Sequence, residues 1–352
     1  MASLDIKKLL QSVVVHGASD LHLVSRSEPQ LRLDGRLRPI NLPVLDGQTI
    51  EEACYSLMTE KQKQTFEENL ELDFAIELEG VGRFRANFYK TLGDMAAAFR
   101  IIPAKTPTLD DLKVSPIYKK LTKREKGLIL VTGPTGSGKS TTLAAMLNEI
   151  NETQSKHILT IEDPVEFVHK NKKSLFSQRD LKNDTKSFYN ALKYGMRQDP
   201  DVILIGEMRD KETIAAALTA AETGHLVFGT LHTNSAPGTI NRIIDVFSGD
   251  EQPQIRAMLS SSLVAVIAQM LVPKTNGGRT AASEILVVNH AISNLIRENK
   301  IHQIYSSMQV GQSDSGMITQ NQVLAKLVNQ GTIERNTALQ CSNNKADLEK
   351  MI

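Results

Sequence analysis

The distribution of apolar residues over the first hundred positions predicts a small domain of helices and antiparallel strands. Apolar residues recur at helical spacing over 4–14, and 50–70 has a similar helical character. Asp34-Gly35 is typical of a tight hairpin turn. Alternation of apolar and polar residues predicts a hairpin over 31–40 and strands at 73–79 and 83–89, and a further strand is expected at 95–102. We therefore predict an α+β domain over residues 1–102.

Three prolines mark residues 103–118 as a linker, and the pattern changes from residue 119 onward. Short apolar runs there alternate with helical segments, which favours a mostly parallel α/β sheet covered by helices over 119–352. Residues 309–322 are rich in Gly, Ser and Gln and predict a loop. The apolar runs of the predicted sheet are 128–131, 158–161, 202–205, 226–228 and 285–288.

Composition limits the location and the partners of the chain. Hydrophobic residues make up 41% and charged residues 23%, as in soluble globular proteins, and the formal net charge is +1. That charge gives no support for broad adhesion to nucleic acid or to a membrane. Leu263–Val272 is interrupted by Gln269 and is shorter than the ~20 residues that span a bilayer. Cys54 and Cys341 form no metal-binding spacing, and we predict a cytoplasmic protein.

The segment Gly133–Ser140 fits the phosphate-loop pattern G-x-x-x-x-G-K-[ST] and lies between an apolar run and a helical pattern. Its peptide N–H groups suit phosphate oxygens, Lys139 suits the β- and γ-phosphates, and the Ser140 hydroxyl suits Mg²⁺. An ordinary glycine-rich turn is the alternative. The predicted nucleotide-binding residues are Gly133, Pro134, Thr135, Gly136, Ser137, Gly138, Lys139, Ser140 and Thr141.

An acidic cluster follows the second apolar run. Glu162, Asp163 and Glu166 are candidates to orient or deprotonate the attacking water, because residues beyond the carboxyl ends of parallel strands face the ligand crevice. Glu166 ranks first as the general base, since Pro164 turns the chain before it. A solvated acidic loop is the alternative for any one of the three.

Glu207 ends another buried strand pattern and is the candidate Mg²⁺ carboxylate, alongside Ser140. Gly206 stands where related sites usually have aspartate. A surface contact is the alternative for Glu207. His225 and His232 flank the next strand; we favour γ-phosphate sensing for His232, whereas His225 fits a structural hydrogen bond equally well. Coupling between subunits and a metal site are the other options for this pair.

Arg83 and Arg85 lie on one face of a predicted strand, opposite Phe84, which we expect to be buried. A solvated basic face is the default interpretation. The alternative is that these arginines reach the γ-phosphate bound by a neighbouring subunit, as an arginine finger does, with Arg100 as a weaker candidate.

These residues together resemble the secretion ATPase superfamily, which drives type II secretion and type IV pili. Four motifs match in order: the phosphate loop, the acidic box 161–166, the Gly206-Glu207 pair and the histidine box that ends at His232. The segment 16–23 is similar as well. The resemblance covers nearly the whole chain.

Within the superfamily the chain is most similar to the pilus retraction ATPases. Residues 291–298 resemble their retraction motif, although Ser293 replaces the usual arginine, and 316–322 is a looser match. Pilus-assembly and type II secretion relatives are longer and often carry a four-cysteine zinc module, which two cysteines cannot build. The resemblance thus favours pilin depolymerisation in twitching motility over the alternative of an assembly or secretion ATPase.

The resemblance implies a homohexamer with a PAS-like N-terminal domain, a RecA-like C-terminal domain and a helical region over 289–352. It implies that ATP and Mg²⁺ bind between the two domains, with arginines from a neighbour, and that Glu166 is the catalytic glutamate. The implied partner is the inner-membrane pilus platform protein, which would hold the motor at the cytoplasmic face of the inner membrane; a paralogous retraction ATPase is a further candidate. A RecA-like nucleic-acid motor and a ring that does not hydrolyse nucleotide are the alternatives of other classes.

Overall fold

The structure is a computed structural model that describes residues 4–33, 35–102, 105–181, 183–310 and 316–352. The chain forms two compact units. The first comprises Met1–Lys105 and Pro164–Val168, and the second comprises Thr106–Asp163 and His169–Ile352. The boundary therefore falls at residue 105, inside the predicted linker, and Pro164–Val168 belongs to a unit from which it is distant in sequence. Pro103 lies outside the described residues.

Within the described residues, the first unit has a six-stranded antiparallel sheet in the order β3-β2-β1-β6-β5-β4. Alternation along the central strands sends Phe84, Phe88 and Phe99 into the core, where each is 0% exposed. Phe88 meets Phe99 edge-on at 5.6 Å between ring centroids. Asp34 of the predicted hairpin turn lies outside the described residues. The elements are α1 (Ile6–Val15), β1 (Asp20–Leu23), β2 (Gln30–Leu33), β3 (Arg36–Pro39), α2 (Gly47–Tyr55), α3 (Glu60–Asn69), β4 (Glu71–Leu78), β5 (Gly82–Thr91) and β6 (Asp94–Ile102).

The described part of the second unit contains a seven-stranded sheet in the order β13-β12-β7-β11-β10-β8-β9. Every neighbouring pair is parallel except β12–β13. The strands are β7 (Gly127–Thr132), β8 (His157–Glu162), β9 (Leu175–Asp180), β10 (Val202–Ile205), β11 (Leu226–Leu231), β12 (Leu263–Pro273) and β13 (Arg279–Val287). This arrangement confirms the predicted α/β class with a mostly parallel sheet.

Helices cover both faces of this sheet. Leu128 and Leu130 of β7 pack into the core on one face, and Ile129 and Val131 pack into the core on the other, so the whole strand is buried. None of the helices in the described part of the chain is both long and apolar enough to cross a lipid bilayer. The helices are α4 (Ile117–Leu121), α5 (Lys139–Thr153), α6 (Phe188–Gly195), α7 (Lys211–Glu222), α8 (Ala236–Ile244), α9 (Gln252–Ser262), α10 (His290–Arg297), α11 (Ile304–Val310), α12 (Gln320–Asn329), α13 (Arg335–Cys341) and α14 (Lys345–Glu349).

The loop predicted over 309–322 is wrong at both ends. Helix α11 continues to Val310 and α12 begins at Gln320, while 311–315 lie outside the described residues. A capping box starts α12: Thr319 accepts a bond from the Gln322 N–H, and the Gln322 side chain accepts one from the Thr319 N–H at 2.9 Å. The Thr-x-x-Gln spacing that marks such a start is present in the sequence.

Glu284 joins two of these helices to the sheet. Its carboxylate is 2% exposed on β13 and accepts hydrogen bonds from the first N–H groups of α8 and α12, at Ala236 (2.7 Å) and Gln320 (3.2 Å). E284A would leave both buried donors without an acceptor, and we expect it to lower the unfolding temperature by roughly 5–10 °C. Thermal denaturation tests this; E334A is the control, because Glu334 is exposed and makes no capping bond. An equal effect of both variants would contradict the prediction.

The same carboxyl group predicts a dependence on pH. Burial raises the pKa of Glu284 above its ordinary value of 4.5, against the opposing effect of its two N–H bonds. The folded protein then keeps a proton that the unfolded chain has released, so the free energy of unfolding falls as pH rises from about 4.5 through the folded pKa. Glutamine cannot ionise and does not lose this stability. The unfolding temperature of E284Q should therefore rise relative to that of wild type as the pH increases from about 4 to 7. A difference in unfolding temperature between E284Q and wild type that stays the same over this pH range would contradict the prediction.

Candidate nucleotide-binding site

The predicted phosphate loop connects the carboxyl end of β7 to the amino end of α5. Its three glycines adopt positive φ values, at Gly133 (141°), Gly136 (77°) and Gly138 (87°). A side chain at Gly133 would also place its Cβ 2.1 Å from the carbonyl oxygen of Gln269 and 2.7 Å from Oγ of Ser137. The loop is therefore built from conformations and close approaches that require glycine at these positions.

Lys139 holds the loop in a curled shape. Its ammonium group donates to the carbonyl oxygens of Gly133 at 2.8 Å and Pro134 at 3.0 Å. Ser140 follows in the first turn of α5, which has 15 residues and directs the positive end of its dipole at the loop. A glycine-lined concavity, a helix N-terminus and a lysine fit an anionic phosphate chain, and Ser140 supplies a hydroxyl for a cation bound to it.

Two further predicted residues meet at the same edge of the sheet. Strands β7, β11, β10 and β8 are adjacent and parallel, so their carboxyl ends lie on one edge, together with the phosphate loop. There Nε2 of His232 lies 3.1 Å from Oε1 of Glu207, whose side chain is 19% exposed. The carboxylate of Glu207 is thus held at this edge of the sheet by the histidine that follows the neighbouring strand β11.

Arg209 also binds Glu207 and is not among the residues predicted from the sequence. The Nε of Arg209 pairs with the same carboxylate oxygen that His232 contacts. The hydrogen bond to Glu207 raises the pKa of Arg209, which stays charged. An arginine two residues beyond the acidic residue was the available signal. Glu207 is consequently neutralised in this structure, and a cation would have to compete with Arg209 for it.

Close packing explains why the acidic residue follows Gly206 instead of replacing it. A Cβ at Gly206 would lie 3.0 Å from the carbonyl oxygen of Ile161 and 3.1 Å from Cα of Glu162. The Gly206 carbonyl also accepts a hydrogen bond from Oγ1 of Thr230 at 2.5 Å. An aspartate at position 206 would crowd the end of β8, and the carboxylate is carried by Glu207.

The acidic box after β8 is divided between the two units. Glu162 ends β8 in the second unit, where its carboxylate accepts a hydrogen bond from Oγ1 of Thr160 at 2.7 Å. Asp163 is exposed and is the last residue of that segment. Glu166 lies in Pro164–Val168, which belongs to the first unit, and it is partly buried.

The structure does not bring His225 to the phosphate loop of its own chain. His225 precedes β11, at the amino end of the sheet, where Leu226 pairs with Gly127 of β7. The six residues of β7 separate that edge from the loop by about 16–20 Å. Nδ1 of His225 donates to the carbonyl oxygen of Ala220 at 2.9 Å, which is the structural hydrogen bond that we considered from the sequence.

The three predicted arginines lie in the first unit. Phe84 is 0% exposed, as expected, and Arg83 and Arg85 are on the opposite face of β5. Arg85 forms a two-pronged ion pair with Asp73, with Nε–Oδ1 at 3.0 Å and Nη2–Oδ2 at 2.5 Å. Arg100 donates from Nε to Oδ1 of Asp20 at 2.8 Å. Both side chains are therefore already oriented by carboxylates of their own unit; among the described residues no ion pair involves Arg83.

The chain is similar to known proteins over almost all of its length. It is 52% identical over 335 residues to the Type IV pilus retractation ATPase PilT of Pseudomonas aeruginosa, covering 95% of this chain and 97% of that protein. It is 51% identical over 344 residues to the Twitching motility protein of Neisseria gonorrhoeae, covering 97% and 92%.

A solved structure agrees with these relatives. The crystal structure of the pilus retraction motor PilT with bound ADP matches with a TM-score of 0.92 and 49% identity, and it covers 99% of both chains. This likeness confirms the predicted fold class, a mixed α/β chain with one mostly parallel sheet, and the chain is an ATP-hydrolysing enzyme. The family model for Type II/IV secretion system protein matches residues 2–277. The chain therefore belongs to the type II/IV secretion system protein family.

Proposed function

We propose that this chain forms a homohexameric ATPase motor that powers retraction of type IV pili. The observation that carries the proposal is the phosphate loop with Lys139 on the same sheet edge as the Glu207–His232 pair, in a chain that is similar to retraction motors over nearly its whole length. A pilus-assembly or type II secretion ATPase is the alternative within the family.

The site residues of the second unit each have a defined role in the proposed mechanism. The N–H groups of Gly133–Ser140 bind the phosphates, and Lys139 exchanges the carbonyls of Gly133 and Pro134 for phosphate oxygens. Ser140 and Glu207 would hold Mg²⁺, which when bound would supply positive charge to offset that on the phosphates. His232 reports the γ-phosphate through its contact with Glu207. Catalysis therefore consists of positioning and charge neutralisation.

Two further roles complete the proposed reaction. Glu166 accepts a proton from the attacking water and acts as the general base. Arg83, Arg85 and Arg100 are supplied to the γ-phosphate of a neighbouring subunit, which makes hydrolysis depend on assembly of the ring. Asp73 and Asp20 hold Arg85 and Arg100 in fixed positions on the sheet, so less side-chain entropy is lost when these arginines bind phosphate.

The proposed partner is the inner-membrane platform protein of the pilus machine, and the motor is placed at the cytoplasmic face of that membrane through this partner. Helix α10, residues His290–Arg297, carries most of the retraction-like motif. At the position of the usual arginine, the Ser293 hydroxyl donates to the carbonyl oxygen of Ser260 on α9 at 2.5 Å. Ser293 thus joins α10 to α9, and the positive charge it replaces is not needed for that packing.

The direction of work is tested in cells that lack their own retraction ATPase. Expression of this chain should restore fibre shortening and twitching, and the K139A variant should not. Restored assembly in a strain without its assembly ATPase would support the alternative. Restoration only together with a second retraction ATPase would assign the chain an auxiliary role, and ATP hydrolysis stimulated by DNA would support a nucleic-acid motor.

The Mg²⁺ assignment has its own test. E207Q removes a negative charge from the proposed Mg²⁺ site and weakens the partner of His232, so we expect the Mg²⁺ concentration for half-maximal hydrolysis to rise about tenfold or more. A titration of ATPase activity with Mg²⁺ measures this. The matched control is E212Q in the first turn of α7, where the side chain is exposed. An unchanged Mg²⁺ requirement in E207Q would remove Glu207 from the site.

A further inference from the structure

We propose that Gln269 is a positioning residue that sets the shape of the phosphate loop before nucleotide binds. Gln269 lies on β12, next to the loop strand β7, and is 5% exposed in an otherwise apolar run. Its amide nitrogen donates to the carbonyl oxygen of Ser137 at 2.6 Å, and its amide oxygen accepts from Oγ1 of Thr142 at 2.8 Å. One side chain therefore joins the loop to the first turn of α5.

The phosphate loop packs closely against Gln269 near both of its ends. The carbonyl oxygen of Gln269 would be 2.1 Å from a Cβ at Gly133, and its amide nitrogen would be 2.8 Å from a Cβ at Gly138. Gly133 therefore lies against the β12 backbone at residue 269, which is present whatever the side chain, and Gly138 lies against the Gln269 side chain itself. No apolar side chain on β12 could replace its contacts, because the Ser137 carbonyl and the Thr142 hydroxyl are both buried or nearly so and need polar partners.

The bond to Ser137 also fixes the orientation of a phosphate-binding donor. The carbonyl of Ser137 and the N–H of Gly138 belong to one planar trans peptide, so they point in opposite directions. When Gln269 holds the carbonyl, the Gly138 N–H is directed away from β12. A donor that is oriented in advance costs less reorganisation when it meets phosphate, which favours both binding and the transition state.

The alternative is that Gln269 only fills space in the core and supplies hydrogen bonds to buried polar groups. The two roles differ in what substitution changes. A core role predicts a lower unfolding temperature with unchanged nucleotide affinity, whereas a positioning role predicts weaker binding and a higher KM for ATP. The test therefore measures affinity, steady-state kinetics and unfolding temperature on the same purified variants.

Three variants and one control make this comparison. Q269M keeps a similar volume without a donor or acceptor, Q269E keeps the acceptor for Thr142 but turns an oxygen toward Ser137, and T142V releases only the second contact. M270L is the control, because Met270 is next on the strand and its Sδ accepts a hydrogen bond from Nε2 of Gln320 on α12 (3.6 Å) instead of contacting the loop. The probe is ADP with Mg²⁺, and ATP is used for the kinetics.

We expect Q269M to raise the dissociation constant for ADP and the KM for ATP about tenfold, Q269E to raise both more, T142V to raise them less, and M270L to leave them unchanged. Affinity within about twofold of wild type in both Q269M and T142V would overturn the proposal, whatever the unfolding temperature. If Q269M does not fold, the ADP affinity and the KM for ATP of T142V and Q269E test the proposal in its place. Wild type that fails to bind ADP would instead contradict nucleotide binding itself.

Discussion

Replacement of Lys139 by alanine is expected to abolish ATP hydrolysis. Lys139 is the one charged residue in Gly133–Ser140 and is held at the loop by the carbonyls of Gly133 and Pro134. Its loss removes the cation that offsets charge on the β- and γ-phosphates and frees two carbonyl oxygens beside them. Loss of one such preorganised group costs about 10²–10³-fold in turnover, and the lost phosphate binding adds to it.

Steady-state release of phosphate measures this effect. K61A is the matched control, because Lys61 lies exposed on α3 in the first unit and makes no ion pair with any described residue. We expect full activity from K61A and none above background from K139A. Activity of K139A within tenfold of wild type would mean that the loop is not the site of hydrolysis.

The E166Q variant should bind ATP and fail to hydrolyse it. Glutamine preserves the size of the side chain but cannot accept the proton of the attacking water, and loss of a general base costs about 10²–10⁴-fold in turnover. Because Lys139 and the loop are intact, affinity should stay close to that of wild type. Bound nucleotide recovered from the purified variant and analysed chemically should therefore be ATP, whereas wild type should yield ADP.

Glu162 and Asp163 provide the comparison for this assignment, since both were candidates for the same role. Glu162 already accepts a bond from Thr160, and Asp163 is exposed. We expect E162Q and D163N to retain more activity than E166Q. Rapid turnover by E166Q, or a larger loss in either of the other variants, would transfer the role of general base to another carboxylate.

Much of the architecture was predictable because its signals are local. The apolar runs at 128–131, 158–161, 202–205 and 226–228 lie inside β7, β8, β10 and β11. The phosphate loop was readable because glycine, lysine and serine at fixed spacing have few other uses between a strand and a helix. The pairing of Glu207 with a histidine was within reach as well, since both residues follow neighbouring parallel strands.

The remaining features depend on contacts between distant segments. Gln269 was interpreted only as a break in an apolar run, because its partners Ser137 and Thr142 are more than 120 residues away. Glu284 has no local sign of its role, since the two helices that it caps begin at unrelated positions. Nor could the sequence pattern show that Pro164–Val168 belongs to the first unit. Buried polar residues inside apolar strands were the unused signal in the first two cases.

Mg²⁺-dependent ATPase activity measured together with native mass decides between a ring motor and a simpler ATPase. We expect the purified wild-type chain to hydrolyse ATP as a particle of six copies of the 38.8 kDa chain. In the proposed mechanism, arginines from neighbouring subunits complete the site, so dilution to the monomer should abolish turnover. Full activity in a monomer, or a hexamer without Mg²⁺-dependent hydrolysis, would contradict it.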